Sequence, residues 1–347
     1  MTKLRQKGFT IVELLMVIVI IGILASITLV SYSGIKNLAI DASLKSDLSN
    51  ASNLLKIYQA NNSNFPMSTD DANDGKGIKF SQNATHDYAK DNGTIPQTFC
   101  LDAIVGSRSY NVNQDGQITF GPCPIFNVDA YSTSSHMGPV ATWSDFSGYA
   151  NNGTLTNGPT FSTNNVVFDG IDDYVLIHAS ASLNALSSNI SIMAWVYPTT
   201  TDNLWRRIIS RDSYPNQNWY IEFNGSTPGK LEYNGGSSNS TLSLNTWYQI
   251  VVIYNGTKVN SYVNGSLDRS SDYINLAASN ADIGIGGDPN GGNNGNFAGI
   301  GSLRKIANFL QNVRRVGCVL IVIKDFSVYG CVSLTENGGK SKAPVVR

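Results

Sequence analysis

The sequence predicts an α+β multidomain protein: a long amino-terminal helix, then a small β-containing head, then an all-β sandwich of the jelly-roll kind. Three observations carry this reading. An apolar run extends from Ile11 to Val30, broken only by Glu13, Ser26 and Thr28. Behind it Leu44, Leu48, Ala51, Leu55 and Tyr58 recur at steps of four and three, the stripe of an amphipathic helix. All five tryptophans (143, 195, 205, 219 and 247) fall after residue 140, among short alternating runs punctuated by Asn-Gly.

The helix comes first. Its 20 apolar-run residues would span about 30 Å, one hydrocarbon core. Lys3, Arg5 and Lys7 precede it without an acid, which favours a cytoplasmic start. No A-x-A-like site follows the run, which argues against a secretory signal peptide. Glu13 is the informative exception. A carboxylate at the centre of a membrane helix costs roughly 2.5–3.5 kcal/mol on insertion scales, so it is kept where a partner charge waits. The amphipathic stripe continues the helix to about Asn61, a length of roughly 80 Å. Asn61-Asn62-Ser63-Asn64 with Phe65-Pro66 then ends it. Gly22 marks either a bend or a place where helices pack closely.

The segments Lys7-Gly8-Phe9-Thr10 and Val12-Glu13-Leu14-Leu15 resemble the class III leader of type IV pilins and type II secretion pseudopilins. That resemblance implies cleavage between Gly8 and Phe9 by a prepilin peptidase, and N-methylation of Phe9. It implies partners too: other pilin subunits, an inner-membrane assembly platform and the membrane. Cleavage creates a cationic amine at Phe9, and Glu13 of a neighbouring subunit can pair with it. The expected organisation is a leader at 1–8, a helix at 9–62 (transmembrane at about 11–30) and a small pilin head at 63–126. A linker at 127–138, a jelly roll at 139–330 and a tail at 331–347 follow. The chain would sit in the cytoplasmic membrane before assembly and at the cell surface, in a pilus, afterwards.

In the head, Cys100 and Cys123 bracket short strands around an Asn113-Gln114-Asp115-Gly116 turn. Beyond the membrane a disulfide would persist, and closing this loop would stabilise the head by roughly 3 kcal/mol. The pilin resemblance implies a disulfide loop as well.

The second module reads as strands. Ser191–Tyr197 alternates and stops at Pro198. Trp247–Tyr254 runs into Asn255-Gly256, and Lys258–Val263 into Asn264-Gly265, both strong hairpin signals. Asp145-Phe146-Ser147-Gly148, Asn151-Asn152-Gly153-Thr154, Val167–Val175 and the Trp247–Gly265 hairpin resemble laminin-G-like jelly rolls of the concanavalin A-like lectin/glucanase superfamily. Coverage runs from about Val140 to Ile300. The first strand looks clipped to Val140-Ala141-Thr142-Trp143. The family's last strand finds its nearest match at Ile323–Tyr329, displaced by 301–317, which reads as a basic amphipathic helical insertion or an out-of-frame tail. If Val319–Tyr329 is one strand, Cys318 and Cys331 stand about 40 Å apart and do not pair.

Composition narrows function. Net charge is −1 and charged residues make up 14%, so nothing favours nucleic acid. The four glutamates (13, 222, 232 and 336) do not form a glycosidase Glu-x-Asp-x-x-Glu pattern. Glu222 and Glu232 read as solvated residues on separate strands, and His86, His136 and His178 lack metal spacing. An enzyme is not expected. Calcium is the one candidate cofactor, with Asp145, Asp169 and Asp172 as the oxygen donors that the laminin-G resemblance suggests. The alternative at Asp169-Gly170-Ile171-Asp172 is a plain turn. For surface glycans, Trp205 and Trp219 are the candidate stacking residues, with Trp195 and Trp247 assigned to the core. The leading reading is a minor pilin-like subunit displaying a lectin-like jelly roll for adhesion. The alternatives are a pseudopilin of a type II secretion or DNA-uptake system and, third, a surface glycan hydrolase.

Overall fold

The structure is a computed structural model that describes residues 11–331 except 82, 129–140, 163–164, 187–188, 212–217, 235, 273–275, 277–278, 290–296, 301–305, 309–319 and 324–325. At 25–33, 162, 165, 189 and beyond 297 it describes backbone alone. Gly8 and Phe9 therefore lie outside the described residues.

Helix α1 runs Ile11–Asn62 without a break at Gly22. Leu44, Leu48, Ala51 and Leu55 are completely buried against the head, and Tyr58 is half-buried. At roughly 1.5–3 kcal/mol for each fully buried leucine, this stripe is what holds the helix to the head. From Ile11 to Leu24 the large apolar side chains are exposed. Among the described residues no helix is long and apolar enough to cross a membrane.

The head is a four-stranded antiparallel meander, in the order Tyr88–Asp91, Thr98–Val105, Arg108–Asn113 and Ile118–Phe120. Alternation divides its second strand. Phe99, Leu101 and Ala103 pack in the cluster that holds the helix stripe. Cys100, on the opposite face, is disulfide-bonded to Cys123 with Cα atoms 5.8 Å apart. Beside it Asp102 accepts the Asp87 N–H at 2.7 Å, and burial pushes its pKa up to about 6. The expected turn is present: Asn113 accepts the amides of Asp115 and Gln117, and Gly116 adopts φ 81°. Arg108 pairs with Asp41 of the helix, tying the third strand down.

The second module is a sandwich of two antiparallel sheets. One is ordered Gly236–Thr241, Lys230–Tyr233, Trp219–Phe223, Arg206–Arg211, Ile283–Ile285, Tyr174–Ile177, Gly153–Thr156 and Thr142–Trp143. The other is ordered Ser266–Asp272, Lys258–Val263, Tyr248–Asn255, Asn189–Pro198, Ala298–Ile300, Asn165–Asp169 and Thr160–Ser162. The inner faces alternate as strands must: Ile192, Ala194 and Val196 meet Ile221, Phe223 and Ile285 in one buried cluster. Tyr233 and Ser261, from opposite sheets, share a hydrogen bond of 2.8 Å through that core. Both expected hairpins form, with positive φ at Gly256, Asn264 and Gly265.

Some expectations do not hold. Phe126–Val128, read as the end of the head and the start of a linker, is a strand whose Phe126 and Val128 bury in the sandwich core. Ile306–Asn308, inside the expected helical insertion, is a strand paired antiparallel with it. Val319–Tyr329 is not one strand. Leu320–Ile323 and Phe326–Cys331 fold back on each other with Leu320 opposite Cys331, so this tail joins neither sandwich sheet. The last strand of the seven-stranded sheet in chain order is Ala298–Ile300, between Asn189–Pro198 and Asn165–Asp169, and not Ile323–Tyr329.

Candidate functional site

Three places in the sandwich gather chemistry. The first is the loop after Asn165–Asp169. Carboxylate oxygens of Asp169, Asp172 and Asp173 all lie within 4.8 Å of one another. Asp169 and Asp172 are exposed and Asp173 is buried. The loop is also a turn in its own right: Asp169 accepts the Ile171 amide at 2.7 Å, and Asp173 accepts the Asp169 amide at 2.9 Å. Burial raises the Asp173 pKa, with Asp169 and Asp172 adding repulsion. Three hard oxygen donors at this spacing suit a calcium ion better than a transition metal.

Asp145, expected in that set, is placed elsewhere. It is completely buried, and its oxygens accept the amides of Asn127 (2.8 Å), Ser147 (2.9 Å) and Asn151 (3.0 Å) and the Ser147 hydroxyl (2.5 Å). With its lone pairs engaged in this way it fastens a turn and presents nothing to an ion.

The second place is the outer face of the eight-stranded sheet. Trp219, Ile221 and Phe223 point inward, so Tyr220 and Glu222 point outward. Glu222 stands directly opposite Glu232 on the next strand. The expectation of solvated residues fails for Glu222, which is 3% exposed and pairs at 2.8 Å with a fully buried Arg207. The Arg207 guanidinium lies 5.1 Å from the Tyr220 ring centroid. Glu232 is held by Asn224 at 2.9 Å and by the Ser237 hydroxyl. Burial pushes the Glu222 pKa up to about 7 against the pull of Arg207, and Glu232 and Asp288 push the same way. The two carboxylates thus differ in environment, but Glu222 is sealed from substrate-sized molecules.

The third place is the outer face of the other sheet. Because Ile192, Ala194 and Val196 point inward, Met193, Trp195 and Tyr197 point outward. On the adjoining strand Ile250 and Val252 point inward, which turns Gln249 and Val251 outward. Trp195 and Trp247, assigned to the core from sequence, are instead half-buried on this face. Tyr197 and Trp247 lie 5.3 Å apart, Trp195 is opposite Gln249, and Gln249 reaches the Met193 sulfur at 3.4 Å. The two tryptophans proposed from sequence are placed differently. Trp219 is fully buried in the core and has no face to offer. Trp205 is half-buried against Gly225, where an added Cβ would stand 2.9 Å from its Cδ1.

Known proteins agree with this division of the chain. Residues 3–29 match the prokaryotic N-terminal methylation motif. Residues 169–304 match the concanavalin A-like lectin/glucanases superfamily. Type II secretion system core protein G of Aeromonas hydrophila is 29% identical over 143 residues, 41% of this chain and 96% of that protein. The protein of the same name from Klebsiella pneumoniae is 40% identical over 62 residues, 18% of this chain and 44% of that one. Two solved structures are distant neighbours. Domain 4 of AbnA, a GH43 extracellular arabinanase from Geobacillus stearothermophilus, has 15% identity, a TM-score of 0.32 and coverage of 43% and 71% of the two chains. Trypanosoma rangeli sialidase in complex with sialic acid has 10% identity, a TM-score of 0.39 and coverage of 64% and 50%. The chain joins a pilin- or pseudopilin-like amino-terminal part, with its prepilin methylation motif, to a concanavalin A-like domain.

The Glu222 carboxyl leads to a prediction about acidity. Its native pKa of about 7 exceeds the ordinary 4.5, so the folded protein holds a proton that the unfolded chain has released. Its contribution therefore favours folding at acid pH, weakens from about pH 4.5 to about pH 7, and is constant above. In thermal melts the gap in Tm between the parent and Glu222→Gln should narrow across that window. A gap that stays constant or widens would show the carboxyl to be ionised throughout.

Proposed function

We propose that this chain is a pilin-like subunit, processed by a prepilin peptidase and assembled through its amino-terminal helix into a surface filament that displays the sandwich. The observation that supports this most is the methylation motif at 3–29 overlapping the start of a 52-residue helix whose far half buries one apolar stripe under the head. The exposed apolar stretch from Ile11 to Leu24, continued by the apolar residues up to Val30, anchors the prepilin in the membrane and then packs among sister helices. Glu13, in the first turn of α1, meets the new amine at Phe9 of a neighbour and sets axial register. Mass spectrometry of the mature chain should find methyl-Phe9 at its start, and Glu13→Ala should be processed normally yet fail to enter filaments. A mature chain still beginning at Met1, or filaments built normally from Glu13→Ala, would refute the assembly scheme.

A second reading has its own support. The Aeromonas hydrophila relative is a secretion-system core protein matched over nearly its whole length, which favours a pseudopilus over an adhesive pilus. The sandwich then presents a ligand to a secretion machine.

In either setting the sandwich acts as a binding module for surface glycans. Trp195, Tyr197 and Trp247, all half-buried, supply ring faces on a single sheet face, beside a Gln249 that is itself buried against the Met193 sulfur. Sugars bind by stacking their C–H faces on such rings. On a glycan array, Trp247→Ala should weaken any bound glycan about tenfold or more, equivalent to ~1.4 kcal/mol. Trp205→Ala should matter less. Equal binding by parent and Trp247→Ala would remove this face from consideration.

The Asp169, Asp172 and Asp173 loop is the proposed calcium site, supplying three carboxylates and leaving other coordination positions to water or ligand. Calcium should raise the Tm of the parent by several degrees and leave Asp172→Asn unmoved, because an ion bound only to the native state stabilises it by mass action. No shift in the parent would mean that the loop is only a turn.

A further inference from the structure

Among the described residues the head and the sandwich meet at two places that are wired together. The first is the chain itself. Cys123 is disulfide-bonded within the head, and Phe126, three residues on, is 1% exposed in the sandwich core. Only Pro124 and Ile125 lie between them. The second is the turn around Gly148, which belongs to the sandwich but presses on the head. Gly148 adopts φ +85°, and a Cβ built there would stand 2.7 Å from the Ala89 carbonyl oxygen and 3.0 Å from the Cys100 nitrogen. Backbone rests on backbone, an approach only glycine permits. Beside it the Tyr149 hydroxyl donates to Asp87 at 3.3 Å, and the Asp87 backbone is in turn bonded both ways to Asp102.

On its other side the same turn is locked to the connector. The buried Asp145 carboxylate takes the amide of Asn127, and the Phe146 amide donates back to the Asn127 carbonyl at 2.6 Å. The Asn151 side-chain amide donates to the Ile125 carbonyl at 2.7 Å, and the Ser147 hydroxyl, whose proton goes to Asp145, lies 3.1 Å from the same carbonyl. A hinge needs residues free to change φ and ψ. Here the connector's carbonyl and amide groups are engaged by a turn that itself bears on the head's disulfide-linked strand.

We propose that the turn from Asp145 to Asn151 is a clamp that fixes the sandwich at one orientation on the head, making it a rigid extension of α1. The occupant of this interface is the chain's own head, at the paired strands Tyr88–Asp91 and Thr98–Val105. Any assembly that orients the helix then orients the outer faces of the sandwich as well.

The test is a distance distribution in the full chain, solubilised in detergent. Spin labels carried on unnatural side chains at Asn53 and Thr257, both exposed, avoid the four cysteines. The parent should give one narrow peak. Gly148→Val, which places a branched side chain in a left-handed backbone and against Ala89, should broaden that peak at least twofold while both modules remain folded by circular dichroism. Combining Tyr149→Phe with Asp87→Ala removes the side-chain contact without backbone strain and should broaden it less. A broad distribution in the parent would overturn the clamp whatever the variants do. So would a folded Gly148→Val whose peak matches the parent's. Should Gly148→Val fail to fold, the parent's width together with the double variant decides.

Discussion

A carboxylate removed entirely from water is the constraint on which the sandwich's attachment rests. Burying an ionised group in an apolar interior is prohibitive unless its lone pairs are satisfied. Asp145 meets that condition with three backbone amides and one hydroxyl, drawn from the connecting strand and from its own turn. Charge-assisted bonds of this kind are short and directional. Replacing any donor would leave the acid exposed to an apolar surrounding, so the turn and the connector must form together. Asn151 extends the arrangement by bonding Ser180, which caps the short helix Ala181–Asn184.

The two outer faces of the sandwich have contrasting chemistry. One carries a sealed Arg207–Glu222 pair beside Glu232, Asn224 and Ser237. Buried ion pairs of this sort are poor sources of net stability, but removing one partner typically costs about 3–5 kcal/mol. The other face carries Trp195, Tyr197, Trp247 and Gln249 without a charged group among them. An uncharged face of rings suits a neutral polyol, whereas the charged face sets one buried guanidinium beside two carboxylates. Core packing does not require either arrangement, because the inner faces of both sheets already close on one another.

Much of this was legible in the chain. The helical stripe of Leu44, Leu48, Ala51 and Leu55 and both Asn-Gly hairpins were readable because local periodicity and turn chemistry alone dictate them. What could not be read depends on distant segments. Glu222 is polar and outward-facing by alternation, and nothing nearby in sequence reveals that Arg207 meets it. Ala298–Ile300 is three residues long and contains Gly299, too little for a strand signal, yet it sits between two sheet strands. Phe126–Val128 follows a proline and precedes a serine-rich stretch, so composition suggested a linker while packing made it core. The misplaced tryptophans are a different matter. Taking Ile192, Ala194 and Val196 as the inner set would have turned Trp195 outward from sequence alone.

The hydroxyls of Tyr233 and Ser261 meet inside an otherwise oily interior, each donated by a different sheet. Hydrocarbon packing by itself tolerates slippage, since one aliphatic neighbour substitutes for the next at little penalty. A slide of one residue, ~3.3 Å along a strand, would separate this couple and strand two polar atoms in grease. The bond therefore behaves as a dowel between two boards, admitting a single alignment of the layers and excluding its near misses.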